Sequence, residues 1–161
     1  MLSVDVKLVL MPVILVAWFV GCSKQEPYRI DGFENFSPEQ KEAVVSVFSK
    51  LNEDAGRTLV SESGDGYRIS IHLADELNNA SEQGHAEMSL SGCTITLLRS
   101  LRLSLLKAVA IHELGHCLGL PHVQPTYGAV MSPQTGPIEV YYSGSSYQEF
   151  IESLLQTPRL H

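Results

Sequence analysis

The stretch that decides the fold of this chain runs from His112 to His122 and reads HELGHCLGLPH. Residues 103 to 118, which include its first half, are mostly good helix formers, so we expect a helix that stops at Gly119. Histidines four residues apart lie on one face of a helix, about 40° apart around the axis and about 6 Å along it. His112 and His116 can therefore bind one zinc ion together.

Glu113 and Gly119 supply what a pair of histidines lacks. Glu113 lies about 100° round the helix from His112, where its carboxylate can meet a zinc-bound water without binding the metal. Glycine readily takes a positive φ, so Gly119 can turn the chain back toward the metal and bring in His122. Three neutral imidazoles leave the ion its full charge and one open position. This arrangement suits hydrolysis with Glu113 as general base.

These eleven residues resemble the HExxHxxGxxH zinc-binding consensus of the metzincin metallopeptidases at every fixed position. Gly128–Pro133 also looks like the Met-turn of that group, with Met131 in the place of its methionine. The short spacing after His122 and the Met-Ser-Pro ending are most similar to matrixin-type catalytic domains. The resemblance implies a zinc peptidase, and its specific part covers only residues 112 to 133.

The resemblance and the residue patterns together predict an α+β, metzincin-like fold. We expect a twisted mixed β-sheet with a backing helix, a zinc-binding helix, a Met-turn and a C-terminal helix. The predicted elements are a capped helix from Ser37 with a buried stripe (Ala43, Val44, Val47, Phe48, Leu51), a strand through Ile69, Ile71 and Leu73, a hairpin or two short edge strands between Ala86 and Leu98, and a last helix from Gly144 to Gln156 that buries Phe150, Ile151, Leu154 and Leu155.

Two cysteines, Cys93 and Cys117, fall within the predicted folded domain. Cys117 follows His116 on the helix but points about 100° away from it, toward the scaffold. In an oxidising compartment the two cysteines can form a disulfide that joins the zinc-binding helix to the edge-strand region. Two buried free thiols are the alternative, because spacing along the chain does not show whether the side chains come within bonding distance.

The first residues of the chain are typical of a cleaved export signal. The apolar run from Leu8 to Val20 is too short to span a bilayer comfortably. The residues Phe19 to Cys22 resemble the lipobox of bacterial lipoproteins, whose cysteine is acylated and becomes the first mature residue. We therefore expect residues 1–21 to be a signal peptide and Cys22 to anchor the protein to a bacterial membrane, which is the outer membrane if the organism is Gram-negative. Plain secretion is the alternative.

The rest of the chain is predicted to contain a tether and one folded domain. Residues 22–35 are polar and include Pro27 and Gly32, so we expect a tether there and a domain over residues 36–161. The 161-residue chain is 44% hydrophobic and 18% charged, which suits one globular domain. Its net charge of -7 argues against nucleic acid as a partner. We expect the domain to be a monomer.

The resulting prediction is a zinc endopeptidase that acts on peptides or proteins outside the cytoplasm. Two alternatives stay open: a lipoprotein binding module that keeps the zinc site without turnover, and a zinc amidase that cuts cell-wall peptide. We expect one zinc ion and no required calcium, because the segment from Glu76 to Gly84 is short and polar where matrixins carry further metal-binding loops. The remaining histidines are expected at the surface (His72, His85, His161), and three tyrosines are expected to pack in the core or the pocket wall (Tyr127, Tyr141, Tyr142).

Overall fold

The computed structural model describes residues 26–125, 128–133, 136–142 and 144–157. The described residues form five strands and four α-helices around one hydrophobic core. The strands are β1 (Tyr28–Asp31), β2 (Val60–Ser61), β3 (Arg68–Ala74), β4 (Gly84–Ser89) and β5 (Gly92–Leu98). The helices are α1 (Pro38–Asp54), α2 (Leu103–Cys117), α3 (Ile138–Tyr142) and α4 (Ser145–Gln156).

The five strands form one mixed sheet in the order β2-β1-β3-β5-β4. Strand β1 runs parallel to both β2 and β3, β3 runs parallel to β5, and β4 runs antiparallel to β5. Side chains from one face of β3, Ile69, Ile71 and Leu73, are buried in the same core as apolar residues of α1 and α2. This mixed sheet with its packed helices confirms the predicted α+β class.

The prediction that residues 22–35 form a tether is wrong for the second half of that segment. Tyr28–Asp31 forms β1, which lies between β2 and β3 in the sheet. Two of its four side chains, Tyr28 and Ile30, are buried. An alternation of only four residues cannot be distinguished from a polar linker by its pattern, and the neighbouring strands on both sides hold it in place. The folded domain therefore begins before Phe36.

Helix α1 begins at the cap that the sequence predicts. The Gln40 backbone amide donates to Ser37 Oγ at 3.2 Å, and the Ser37 amide donates to Gln40 Oε1 at 3.0 Å. The predicted cap is therefore confirmed, and it is a capping box that pairs two amides for which the helix itself has no partner. The predicted apolar stripe is buried (Ala43, Val44, Val47, Phe48, Leu51). Helix α1 packs on α2 through this side, which makes it the backing helix.

Of the two arrangements predicted for the region from Ala86 to Leu98, the structure shows the hairpin, which is antiparallel. All six residues of β4 pair with β5, from Gly84 opposite Leu97 to Ser89 opposite Gly92 at the turn. Strand β4 begins at Gly84, two residues earlier than predicted, so His85 lies in a strand and not in a loop. Within the described residues, β4 is one of the two edge strands of the sheet and has no partner strand on its outer side.

Helix α2 is surrounded by the rest of the domain. Ten of its 15 residues are buried, among them His112 and Glu113. It begins at Leu103, as predicted, and ends one residue before the predicted Leu118. The surrounding core holds its backbone in a fixed position, so side chains on its exposed turns are positioned by a rigid element.

Helix α4 confirms the predicted C-terminal helix but not all of its buried side chains. Leu155 is 41% exposed, where the sequence predicted a buried position. The buried stripe starts one turn earlier and recurs at spacings of three and four (Tyr147, Phe150, Ile151, Leu154). Leu155 lies about 40° beyond Ile151 around the helix axis, at the border of that stripe.

Several predicted features lie outside the described residues: the signal peptide, Cys22, Tyr127 and His161. Among the helices that the structure describes, none combines the length and the apolar character that crossing a membrane needs.

Candidate metal centre

Helix α2 carries two histidines near its C-terminal end. His112 and His116 lie one turn apart, and their ring centroids are 4.8 Å apart. His112 is buried and His116 is half-buried. The predicted common face is therefore present, and it emerges from the core where α2 reaches the surface.

Gly119 ends the helix and directs the chain toward His122. Its φ is +89°, a left-handed value that suits glycine. The Gly119 amide donates to the His116 carbonyl and the Leu120 amide donates to the Gly115 carbonyl, both at 2.9 Å. These two bonds are those of a Schellman motif. The predicted left-handed stop is confirmed, and the reversed chain brings His122 to the face of α2.

The three histidines converge through their Nε2 atoms. His122 Nε2 lies 3.2 Å from His112 Nε2 and 3.1 Å from His116 Nε2. In a tetrahedral site with zinc–nitrogen bonds of about 2.05 Å, neighbouring nitrogens are about 3.3 Å apart. The observed separations match that spacing.

The other nitrogen of each helical histidine fixes the orientation of its ring. His112 Nδ1 donates to the Val130 carbonyl at 2.6 Å, and His116 Nδ1 donates to the Leu120 carbonyl at 2.8 Å. A carbonyl oxygen can only accept a hydrogen bond, so each Nδ1 carries the proton and each Nε2 keeps its lone pair. Histidines that bind a metal are held in this way by their outer partners.

This donor set fits a divalent cation. The Nε2 atom of His122 carries one proton at most, so it can satisfy only one of the two bare Nε2 atoms that face it. Burial lowers the pKa of His112 to about 4 and also lowers the pKa of His116, which keeps both rings neutral at pH 7. Three imidazole nitrogens at tetrahedral spacing suit zinc. In the part of the chain that the structure describes, this is the one such cluster of histidine, cysteine and carboxylate side chains.

Glu113 lines the same cleft as the three histidines and is itself buried. Burial, and to a lesser extent the negative charge of Glu82, raises the pKa of its carboxyl to about 7. A carboxyl group whose pKa lies near the working pH can accept a proton in one step and return it in the next.

Gly84, the first residue of β4, leaves room for the Glu113 side chain. A Cβ atom at Gly84 would lie 2.9 Å from Glu113 Cγ and 3.0 Å from Glu113 Oε1. A larger residue would displace the carboxyl or push β4 away from α2. The sequence motif contains neither Gly84 nor Glu82, because only the pairing of β4 with β5 brings this segment beside α2.

Met131 lies in a buried turn that contacts both α2 and the segment that carries His122. A side chain at Gly115 of α2 would collide with Met131 Sδ and would lie 3.1 Å from its terminal methyl carbon. The Val123 amide, next to His122, donates to the Met131 carbonyl at 2.9 Å. The preceding carbonyl, that of Val130, orients His112. The turn that contains Met131 therefore supports two of the three histidines.

Cys93 of β5 and Cys117 of α2 form a disulfide. Their Cα atoms are 5.6 Å apart, and both side chains are buried. The structure thus favours the disulfide over two free thiols. Because Cys117 follows His116, the bond holds the C-terminal end of α2 against the sheet.

A cleft of about 810 Å³ lies between β4 and the histidines. One wall comes from β4 and the segment before it, including Glu82, His85 and Met88. The other comes from α2 and residues 119–122. His85 Nδ1 lies 3.8 Å from the Glu82 carboxylate. The sheet edge thus forms one side of the cleft.

The remaining predicted residues have other positions. His72 is half-buried, so the prediction that it is solvated is wrong. It packs beside Gly32, where an added Cβ would lie 3.1 Å from His72 Cε1. His85 is exposed as predicted, although it lines the cleft. Tyr142 is half-buried and its ring contacts that of Tyr147, with centroids 5.0 Å apart.

Tyr141 is fully buried, so the packing role predicted for it is confirmed. Burial, together with the charge of Glu113, raises the pKa of its hydroxyl to about 12. The residue therefore packs in the core close to the Glu113 carboxylate.

The fold and the three-histidine site define a class of zinc metallopeptidases, and a comparison of sequences agrees. The sequence model of the family described as Matrixin matches residues 16–142, more than half of the chain. The chain belongs to the matrixin family, and its fold is metzincin-like. No curated protein matches it at a significant level. Family membership and the histidine site make it a metallopeptidase whose substrate is a peptide or protein.

Proposed function

We propose that the protein is a zinc endopeptidase that uses Glu113 as its general base. The observation that carries this proposal is the convergence of three histidine Nε2 atoms, 3.1 and 3.2 Å apart, in the cleft that Glu113 also lines. A zinc ion that serves only structure is usually closed by four protein ligands. Three ligands in an open cleft suit catalysis better.

His112, His116 and His122 would hold one zinc ion. When bound, zinc acts as a Lewis acid toward a substrate carbonyl and lowers the pKa of water at its open position. The carbonyl partners of His112 and His116 hold these two rings in the tautomer that leaves Nε2 free. The chain therefore supplies neutral, oriented ligands.

Glu113 moves the proton. Its carboxylate takes a proton from the water that attacks the scissile carbonyl and delivers that proton to the departing amine nitrogen. Burial and the charge of Glu82, which raise the pKa of Glu113 to about 7, support this exchange. Gly84 leaves the space in which the carboxylate lies.

The sheet edge supports an extended polypeptide as substrate. Strand β4 forms one wall of the cleft, and its outer side has no partner strand among the described residues. An exposed edge can pair with an added strand, which gives affinity through main-chain hydrogen bonds. A substrate bound along β4 would cross the cleft, which favours cleavage within a chain.

The location proposed here rests on the sequence. We propose that residues 1–21 are a cleaved signal, that Cys22 carries the lipid, and that the monomeric protein is anchored to an extracytoplasmic membrane surface. This surface is the outer membrane if the organism is Gram-negative. The buried disulfide between Cys93 and Cys117 supports an oxidising compartment.

A mixed peptide library tests the peptidase proposal. We expect cleavage at internal bonds, its loss on chelation, its return with zinc, and one zinc per chain by elemental analysis. A His72→Ala variant is the control for replacing any of the three ligand histidines, and it should keep both zinc and activity. Zinc binding without any cleavage would point to the binding module, and cleavage restricted to cell-wall peptide would point to the amidase.

A further inference from the structure

The turn between β4 and β5 carries the most exposed apolar side chain among the described residues. We call residues Met88–Gly92 the hairpin tip. Leu90 is 104% exposed and Met88 is 53% exposed. None of the five residues is charged. Leucine is an unusual choice for a turn, where glycine, asparagine, aspartate and serine dominate. Its position at the hairpin tip leaves its side chain free to contact an apolar surface outside the domain.

Several polar groups of the hairpin tip are paired within the domain. Ser89 Oγ donates to the Gly92 carbonyl at 2.9 Å and accepts from the Ser91 amide at 3.3 Å. The Ser89 carbonyl accepts from the Tyr67 hydroxyl at 2.7 Å. Moving polar groups out of water is costly when they lack partners. These pairs reduce that cost, so Leu90 can enter an apolar environment.

The hairpin tip lies at the same end of the sheet as the start of the folded domain. The parallel register aligns Arg29 of β1 with Arg68 of β3, and Arg68 with Gly92 of β5. Strands in a sheet are about 4.8 Å apart, so the hairpin tip is roughly 10 to 14 Å from β1. The ring of Tyr67, which contacts Ser89, also packs edge-on against the ring of Tyr28 at 6.0 Å.

The proposed lipid is attached close to this end. Cys22 and Tyr28 are six residues apart, and a fully extended chain of that length spans at most about 20 Å. A lipid on Cys22 therefore holds this end of the sheet close to the membrane surface. The opposite end carries Leu103, at the start of α2, which follows the carboxyl end of β5.

We propose that the hairpin tip docks on the lipid bilayer, with Leu90 inserted at the interface between headgroups and acyl chains. This inference rests on the lipid anchor proposed above. One acyl anchor and one inserted side chain together fix which end of the domain faces the membrane. Met88 belongs both to the hairpin tip and to the cleft wall, so the docked end is continuous with the cleft.

Tryptophan fluorescence tests the docking directly. The chain has a single tryptophan, Trp18, which lies in the signal peptide that is expected to be removed. The variants Leu90→Trp and Leu103→Trp each give the mature protein one tryptophan at an exposed leucine, at opposite ends of the sheet. Each full chain is produced with its own leader, extracted from membranes and reconstituted in phosphatidylcholine vesicles, with and without brominated phosphatidylcholine.

We expect the emission of Leu90→Trp to shift to shorter wavelength on vesicles and to be quenched by the brominated lipid, whereas Leu103→Trp changes in neither respect. Equal emission and equal quenching in the two variants would overturn the docking. The mass of the extracted protein reports the lipid on Cys22 separately. A lipid-bearing chain whose Leu90→Trp emission remains that of a water-exposed tryptophan contradicts the docking alone. A chain without lipid contradicts the anchor and the docking together. Neither result bears on the peptidase activity, which the peptide library measures.

Discussion

His112 Nδ1 donates a 2.6 Å hydrogen bond to the carbonyl oxygen of Val130, the residue before Met131. The direction of the His112 lone pair therefore depends on the turn that contains Met131. That turn is positioned in part by its contact with Gly115, on the same helix as His112. The metal site and the Met-turn are thus one packed unit.

The substitution Gly115→Ala is expected to disturb this unit. Alanine normally stabilises a helix by up to about 1 kcal/mol relative to glycine. Here the new Cβ would collide with Met131 Sδ, so we expect a net loss of roughly 1–3 kcal/mol and weaker zinc binding. Denaturant unfolding and a zinc competition assay measure the two effects.

Gly136→Ala is the matched control, because a Cβ at Gly136 meets nothing within 4 Å. If Gly115→Ala proves as stable as this control and binds zinc as tightly, the contact between Gly115 and Met131 does not position the site.

The substitution Gly84→Ala is expected to slow catalysis without removing zinc. The added Cβ would collide with the Val109 side chain and press on Glu113 Cγ and Oε1, so the carboxylate is displaced or β4 moves away from α2. A displacement of about 1 Å in a catalytic group can lower the rate by about 100-fold. We expect kcat to fall by roughly 10- to 100-fold at unchanged zinc content, measured against Gly136→Ala. A kcat equal to that of the control would show that Gly84 does not set the position of Glu113.

The disulfide is expected to contribute about 3 kcal/mol to the free energy of unfolding, because it closes a loop with a sequence separation of 24. The double variant Cys93→Ala, Cys117→Ala removes the bond without leaving a lone thiol. Reductant should lower the denaturation midpoint of the parent and leave that of the double variant unchanged. If complete reduction leaves the denaturation midpoint of the parent unchanged, the disulfide does not make this contribution.

The metal-free protein should show opposite pH effects from two buried groups. The folded pKa of His112, about 4, lies below its ordinary value near 6.5, so stability from its neutral form is lost as the pH falls from 6.5 toward 4. The folded pKa of Glu113, about 7, lies above its ordinary value, so stability from its protonated form is lost as the pH rises toward 7. The two effects offset each other in the parent.

Glu113→Gln removes one of these effects and exposes the other. The metal-free variant should lose up to about 3 kcal/mol of stability between pH 6.5 and pH 4, and more if the lowered pKa of His116 contributes. Titration of the His112 ring protons by NMR gives its pKa directly. A His112 pKa near 6.5 in the folded, metal-free chain would contradict the burial that the structure shows.

The sequence predicted those features that depend on local spacing. The positions of His112 and His116 on one face follow from the helical repeat, and the stop at Gly119 follows from its freedom to take positive φ. The capping box at Ser37 is likewise a local pattern of four residues. Each of these needs only neighbours along the chain.

The features that were missed depend on pairing between distant segments. Strand β1 has only four residues and is stabilised by strands on both sides, so its own pattern does not distinguish it from the tether that the sequence predicts. Gly84 and Glu82 contact or influence Glu113 only because β4 folds back on β5 beside α2. The exposure of Leu155 depends on where the core ends around α4, which a stripe of apolar residues does not specify.

The most direct test of the central claim compares the parent with Glu113→Gln on one cleaved peptide at full zinc occupancy. Glutamine keeps the size of the side chain but cannot take the proton from water, so we expect unchanged zinc per chain and a rate lower by at least about 100-fold. Glu152→Gln, on the exposed side of α4, is the control and should keep the parental rate. A Glu113→Gln protein that binds zinc and cleaves at the parental rate would contradict the proposed role of Glu113.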